Sequence, residues 1–331
     1  MNMNLKGKKI LFLSVSFFQY EKKIAQRLTD FGAEVIFFDE RPSNTLIEKG
    51  IIRLNKSFIQ HKINKYYHSI LKNITNQHFD YFLLIKGEAV PDFFLKELIN
   101  SHPHTKKIYY SFDSFSEYPH LKAHLPYFDE AFSFDPHDAK ELHLHFLPLF
   151  FIPDYNTQET SQKKEFDLVF IGSAHTDRYI VGEKVRKVIE KNHLNTFFYY
   201  YAMNKWVFKL KKLFDPHLKY FDSSKISFHK LSHQQIYSYY RRSTAVLDIN
   251  KPFQRGLTMR TFEALASGNK LITTNPDIQQ YNFYTPQNIL VINRENPQIP
   301  LSFFQTPFIP LPPELLNTLS LDNWLQTLFS A

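Results

Sequence analysis

The sequence predicts an α/β fold in two halves, each a parallel sheet with helices on both faces. Three observations carry this. Short apolar runs of strand length alternate with segments of helical spacing along most of the 331 residues. A polar stretch over residues 154–165 (DYNTQETSQKKE) interrupts the alternation near the middle. The length itself suits one large or two ordinary domains, at roughly 150 residues each.

In the first half, Lys9–Val15 is a run of buried-strand type, and Glu21–Phe31 follows with Ile24, Leu28 and Phe31 at helical spacing. Gly32 stops that helix, and Ala33–Phe38 is the next strand. Residues 55–77 are expected to be mostly helical with a polar, basic face. Phe79–Ile85 is a strand, and Pro91–Ser101 a helix opened by its proline. Ile108–Phe112, Ala131–Phe134 and Phe146–Phe150 are further short strands. After the polar stretch come strand Phe166–Ile171, helix Asp177–Asn192, strand Thr196–Tyr201 and helix Gln234–Arg242. Strand Ala245–Ile249, helix Leu257–Ser267 and strands Lys270–Thr274 and Ile289–Ile292 complete the second half. Six prolines from Pro297 to Pro313 predict an extended crossing, and Glu314–Phe329 an amphipathic helix.

Composition removes several classes. The chain is 43% hydrophobic and 22% charged, enough apolar material for packed cores and too much for a disordered chain. Only 8 glycines against 34 phenylalanines and 19 tyrosines exclude collagen-like and flexible-linker architectures. The absence of cysteine excludes disulfides, thiol catalysis and thiolate metal sites. Lys and Arg exceed Asp and Glu by 40 to 32, a net charge of +8 that favours an anionic partner. These charges are spread along the chain and no nucleic-acid module accompanies them, so no nucleic acid partner is expected. The apolar run Ile10–Val15 is too short to span a bilayer and lacks a cleavage site, so it reads as a first strand. The expectation is a soluble, cytoplasmic chain that can be held at the inner face of the cytoplasmic membrane. Lys205–Lys219 (KWVFKLKKLFDPHLK) is a basic amphipathic helix able to lie on anionic lipid; packing of its apolar face inward is the commoner alternative.

Motif absences narrow the chemistry. The first strand-to-helix turn, SVSFFQYE, has no G-x-G-x-x-G, and neither a P-loop nor a G-x-S-x-G elbow occurs. The 15 histidines form no H-E-x-x-H and no D-x-D occurs, so neither a metal nor another cofactor is expected. The informative stretch is Asp248–Thr274, DINKPFQRGLTMRTFEALASGNKLITT. A strand ends at Asp248–Asn250 and a basic loop with Lys251, Arg255 and Gly256 follows. A helix then starts near Leu257 or Thr258 and carries Arg260 and Glu263. Loop amides and a helix N-terminus make an anion site, to which Thr258 adds a hydroxyl and Arg260 a bidentate contact. Glu263 falls about 7.5 Å further along the helix, a suitable offset for gripping ribose while the N-terminus grips phosphate. Gly172–Arg178 (GSAHTDR) is a second strand-to-helix turn, where Gly172 and Ser173 permit close approach and Arg178 can neutralise a diphosphate. In the first half, Glu88 and Asp113 end strands, where a general base would sit.

The segment F-E-A-L-A-S-G-N-K-L-I-T resembles the signature of GT-B glycosyltransferases, with Glu263, Ala264, Ala266 and Gly268 in the matching positions. G-L-T-M-R-T-F-E and Tyr109–Phe150 are similar to the bacterial branch of CgeB-like, lipopolysaccharide and capsule glycosyltransferases. The resemblance implies two Rossmann-like domains facing each other across a cleft. Residues 1–153 would bind the acceptor and 154–165 would link. Residues 166–296 would hold the nucleotide-sugar, and 297–331 would return to the N-terminal domain. It implies transfer of a hexosyl or N-acetylhexosaminyl group from a nucleotide-sugar, foremost a UDP-sugar. The acceptor would be a glycan or glycolipid of lipopolysaccharide, lipo-oligosaccharide or capsule, and no metal would take part. Leu257 belongs with the donor residues in this reading, and Asp113 precedes Glu88 as base. Where many retaining members carry the first glutamate of an E-x7-E pair, this chain has Arg255, so stereochemistry does not carry over. A nucleotide- or partner-binding protein on a degenerate scaffold is the rival.

Overall fold

The computed structural model describes residues 3–43, 45, 56–156 and 163–331. The chain divides into two compact units, Met1–Pro148 with Asp322–Ala331, and Leu149–Leu321.

In the first unit the apolar runs become β1 (Lys9–Ser14), β2 (Glu34–Asp39), β3 (Tyr81–Ile85), β4 (Lys106–Ser111), β5 (Glu130–Ser133) and β6 (His145–Phe146). They form one sheet in the order β2-β1-β3-β4-β5-β6, parallel at every pairing. Alternation along each strand sorts its side chains between two helical layers. Leu11, Leu13, Phe82, Leu84 and Tyr109 meet α2 (Gln60–Ile74) and α3 (Asp92–Ser101) through Tyr67, Ile70, Phe94 and Leu98. Helix α1 (Tyr20–Asp30) ends at Gly32, whose φ of 95° and approach to the Lys6 backbone admit no side chain without strain. Arg27 of α1 forms a forked pair with Asp322 at 2.5 and 2.6 Å. That aspartate opens the last part of α11 (Leu321–Ser330), whose Trp324 packs edge-on against Tyr110 at 4.7 Å.

The second unit contains β7 (Phe166–Ser173), β8 (Thr196–Tyr201), β9 (Ile226–Ser227), β10 (Ser243–Asp248), β11 (Lys270–Thr273) and β12 (Ile289–Val291). Their order is β12-β11-β10-β7-β8-β9, again all parallel. Counted from β7 this is 3-2-1-4-5-6, the Rossmann order. Helices α5 (Arg178–Lys191), α6 (Lys205–Phe214), α7 (His233–Arg241) and α8 (Met259–Ala266) connect the strands. Ser232 and Gln235 close a reciprocal capping box at the start of α7.

Several expectations change. The helix expected over Glu314–Phe329 is two helices, α10 (Pro313–Thr318) and α11. Between them the Phe151 N–H donates to the Leu319 carbonyl and the Leu321 N–H to the Phe151 carbonyl, at 2.9 Å each, so a β-bridge consumes the groups that a continuous helix would need. The extended proline segment contains a short helix, α9 (Ser302–Gln305). The strand expected over Phe146–Phe150 pairs only at His145–Phe146; the Leu147 N–H still donates to the Ser133 carbonyl at 3.0 Å, and Pro148, which has no N–H, comes next. The helix expected over residues 55–77 is a 3-10 turn at Lys56–Ile59 followed by α2, with residue 55 outside the described residues. Of the polar stretch 154–165, residues 157–162 lie outside them too, but Tyr155 is fully buried and its hydroxyl meets His233 Nδ1 at 2.9 Å. Helix α4 (Pro136–Glu141), capped by Asp135, was not expected.

Candidate functional site

An open parallel sheet exposes a crevice at the C-terminal ends of its strands, where the strand order reverses. In the second unit that point lies between β7 and β10. Gly172 and Ser173 end β7 there, and Asp248 ends β10.

Asp248 organises the place and was not singled out from the sequence. It is buried, and its carboxylate accepts from Arg260 Nη1 at 2.8 Å, Thr258 Oγ1 at 2.7 Å and Thr261 Oγ1 at 3.0 Å. Arg260 also donates through Nε and Nη2 to the Ile171 carbonyl at 3.0 and 2.6 Å, and its guanidinium lies over Phe170. Burial opposes its charge, but Asp248 outweighs that and raises Arg260 above the ordinary arginine value. Gly172 makes room for this arrangement: a Cβ there would meet Phe170 Cζ at 2.7 Å and Arg260 Nη2 at 3.1 Å. Thr258 is the N-cap of α8, yet its hydroxyl serves Asp248 and makes no capping bond, so the first-turn amides of α8 lack that partner.

Arg178 is held differently. Its Nε donates to the Ile249 carbonyl at 2.8 Å, and its Nη1 meets His175 Nε2 at 3.0 Å. Burial first, then Arg178 and Lys251, push His175 well below the usual histidine value, so it stands there as a neutral acceptor. Burial and the Arg260 guanidinium likewise push Arg178 below the ordinary arginine value. No carboxylate lies within ion-pair distance of Arg178 among the described residues, although only 9% of it is exposed. The neighbouring loop is fixed by Asn250, which accepts from Arg294 at 2.5 and 2.6 Å and donates to the Gln254 carbonyl at 2.7 Å. Arg255 extends outward to Asp277 at 3.3 Å, while Gly256 and Leu257 are buried. Lys251 is half-buried. Glu263 is 4% exposed on α8.

In the first unit the order reverses between β1 and β3. Lys86 and Gly87 follow β3 with φ of 73° and 84°. The Lys86 N–H donates to the Tyr110 carbonyl at 3.0 Å, and Tyr109 Oη donates to the Lys86 carbonyl at 2.8 Å; these bonds hold the left-handed lysine in place. Lys86 Nζ reaches Asp113 Oδ2 at 2.8 Å and Glu88 Oε2 at 3.3 Å, above the Tyr118 ring. Burial works against this ammonium, yet Asp113 and Glu88 together raise it above the ordinary lysine value. Glu88 also accepts from Arg41 Nη2 at 2.7 Å and is buried, whereas a quarter of the Asp113 side chain is exposed. Glu40, unremarked in the sequence, is fully buried; its Oε2 accepts from the Gly87 N–H at 2.7 Å and its Oε1 has no partner. Burial pushes its carboxyl up to about 7, against the lowering effect of Arg41 and Lys86.

The structure thus brings Gly172, Ser173, Arg178, Thr258 and Arg260 to one end of the second sheet, and Asp113 and Glu88 together through Lys86 at one end of the first. The sequence matches no protein-family model and no curated protein. Among solved structures, the chain is similar to a glycosyltransferase from Rickettsia africae ESF-5, with 12% identity, 98% and 97% of the two chains covered and a TM-score of 0.57. It is similar to an α-glucosyltransferase in complex with UDP and a 13-mer DNA containing an A:G mismatch, with 12% identity, 87% of each chain covered and a TM-score of 0.57. A third is the Methanocaldococcus jannaschii UDP-GlcNAc 2-epimerase in complex with UDP-GlcNAc and UDP, with 11% identity, 87% and 90% covered and a TM-score of 0.51. The fold is GT-B. Each unit of this GT-B chain places its cluster of charged residues where its own strand order reverses.

Proposed function

We propose that the chain is a glycosyltransferase that takes a hexosyl or N-acetylhexosaminyl group from a UDP-sugar. It passes the sugar to a glycan or glycolipid of lipopolysaccharide, lipo-oligosaccharide or capsule, at the inner face of the cytoplasmic membrane. One observation carries the donor site: a buried arginine, Arg178, lacks a carboxylate within ion-pair distance among the described residues and stands at the switch point of a Rossmann sheet. A buried cation without a counter-ion is costly, and a diphosphate supplies that counter-ion. Gly172 and Ser173, the α8 amides and the basic residues Lys251 and Arg255 belong to the same site in this reading, with Gly256 and Leu257 shaping the loop. Glu263 takes the ribose. The solved neighbours holding UDP support the choice of nucleotide.

In the reaction the acceptor hydroxyl oxygen attacks the anomeric carbon, and its proton passes to a carboxylate of the first unit. The bond from the anomeric carbon to the diphosphate breaks with its electron pair on the leaving oxygen. Arg178 and the α8 N-terminus stabilise that charge in place of a metal. Asp113 precedes Glu88 as the base, because Glu88 is enclosed by Arg41 and Lys86 while Asp113 is partly exposed. Lys86 then positions Asp113.

A second reading, nucleotide binding without turnover, is favoured by the 2.8 Å pair between Asp113 and Lys86, which ties up the acceptor-side carboxylate. Calorimetry against UDP, GDP, dTDP and CMP tests the donor site, and transfer of labelled sugar to a glycolipid acceptor tests turnover. UDP binding with sugar transfer is the expected result. Binding without transfer selects the second reading, and conversion of UDP-GlcNAc to an epimer without transfer would replace both.

A further inference from the structure

Helix α6 carries Trp206, Val207, Leu210, Leu213 and Phe214 as a single stripe at helical spacing, with Phe208 on the opposite side. A surface helix ordinarily turns such a stripe inward. Here it faces outward: Trp206 is 76% and Phe214 78% exposed, and Leu210 and Leu213 are exposed with them. The inward side rests on Phe208, packed edge-on against Phe221 at 5.2 Å, and on Lys212, which donates to the Phe221 carbonyl at 2.5 Å. Tyr220, six residues after the helix, is exposed as well. Monomeric proteins seldom leave a contiguous apolar patch of this kind uncovered.

Charge decides the occupant. Between residues 203 and 220 stand five lysines, Lys205, Lys209, Lys211, Lys212 and Lys219, against one carboxylate, Asp215. Lys209 Nζ lies 5.3 Å from the Trp206 ring, so cation and aromatic edge share one surface. A second copy of the chain seated on this face would oppose lysines to lysines. An anionic bilayer accepts both parts at once: acyl chains take the Trp, Leu and Phe side chains, and lipid phosphates take the ammonium groups. No helix among the described residues is long and apolar enough to cross a membrane, so contact would be made along the surface.

We propose that α6 and its flanks form a docking face for an anionic lipid bilayer. Its position fits the function proposed above. In the ladder of β8 with β7, Tyr200 pairs with Gly172 and Tyr201 with Ser173, and α6 begins four residues after Tyr201. The docking face therefore starts from the same end of the sheet as Gly172 and Ser173. A lipid-linked acceptor would be presented on that side. This link to the acceptor rests on the glycosyltransferase reading; the docking itself does not.

The chain carries its own reporter. Of its two tryptophans, Trp324 is buried and Trp206 is exposed. The full chain is titrated with vesicles of phosphatidylglycerol and phosphatidylcholine, or of phosphatidylcholine alone, without nucleotide. The expected result is a blue shift of Trp206 emission with the anionic vesicles, absent in Trp206→Phe and reversed by high salt. Replacing Lys209 and Lys211 by Gln weakens partitioning about 25-fold, at roughly fivefold per lysine. Leu213→Glu with Phe214→Glu abolishes it, with the circular dichroism and UDP affinity of the wild type retained because both side chains are exposed. Unchanged emission with anionic vesicles overturns the proposal, as does equal binding to neutral vesicles. So does a dimer in sedimentation that buries Trp206 and is dispersed by the double glutamate variant. UDP binding, measured separately, leaves these outcomes distinct from failure of the donor site.

Discussion

The two arginines at the end of the second sheet have the same chemistry and different partners. Arg260 is built into the fold by Asp248 and the Ile171 carbonyl. Its replacement by Ala leaves a buried carboxylate with only hydroxyl partners, a loss of about 3–5 kcal/mol. Arg178 faces no such carboxylate, so Arg178→Gln is expected to leave the melting temperature nearly unchanged and to weaken UDP binding at least tenfold, the loss of one charged hydrogen-bonding group. Calorimetric titration and thermal denaturation of both variants check this; wild-type UDP affinity in Arg178→Gln would move the phosphate site elsewhere. Glu40 gives a pH prediction. Its folded-state value, about 7, stands above its ordinary 4.5, so the folded chain binds more protons between them. Stability from this group is full below pH 4.5 and is lost as pH rises through 7, a change on the order of 3 kcal/mol. The Glu40→Gln variant should flatten the fall of melting temperature across this window. Identical profiles for variant and wild type would remove Glu40 as its cause.

At the scale of elements, the end of β7 shows how a glycine makes room for a buried arginine. A Cβ at position 172 would lie 2.7 Å from Phe170 Cζ, so the ring must shift, and 3.1 Å from Arg260 Nη2, so the guanidinium must give by a few tenths of an ångström. Gly172→Ala should cost about 1–3 kcal/mol, the usual range for overpacking. Differential scanning calorimetry should show a drop of several degrees, and an unchanged melting temperature would show that the ring and guanidinium yield freely. Strands such as β1 and β8 were legible as short continuous apolar or aromatic runs, and α5 by the helical spacing of its apolar residues. The break between α10 and α11 was not, because its cause is a bridge to Phe151, far away in sequence. The direction of the α6 stripe stayed open between lipid and core for a related reason: periodicity identifies an apolar face but not what lies opposite it.

The whole molecule closes its first unit with the end of its chain. Trp324, Leu325 and Leu328 are buried there, and Trp324 also approaches Phe112. Trp324→Ala should cost about 3–5 kcal/mol, concentrated in the first unit. Hydrogen exchange should show faster opening of β3 and β4 with β10 and β11 little changed, since the units have separate cores. Uniform acceleration across both sheets would contradict that division of stability.

The alternation of elements, the two parallel sheets and the stretches of interest around residues 172 and 255 were written in local periods and turn residues, which any short window of sequence contains. Pairing of charges was not. Asp248 and Glu40 give no local signal, because each acquires its role from groups that folding brings beside it: Arg260 and Thr258 across the loop that follows β10, and the Gly87 amide across the first sheet. His175 meets Arg178 only three residues on, but its burial is set by the rest of the unit. Tertiary structure alone decided that Arg260 pairs with Asp248 within the fold while Arg178, buried beside it, has no carboxylate at ion-pair distance among the described residues, since the cost of a charge depends on burial and on the distance of its partner.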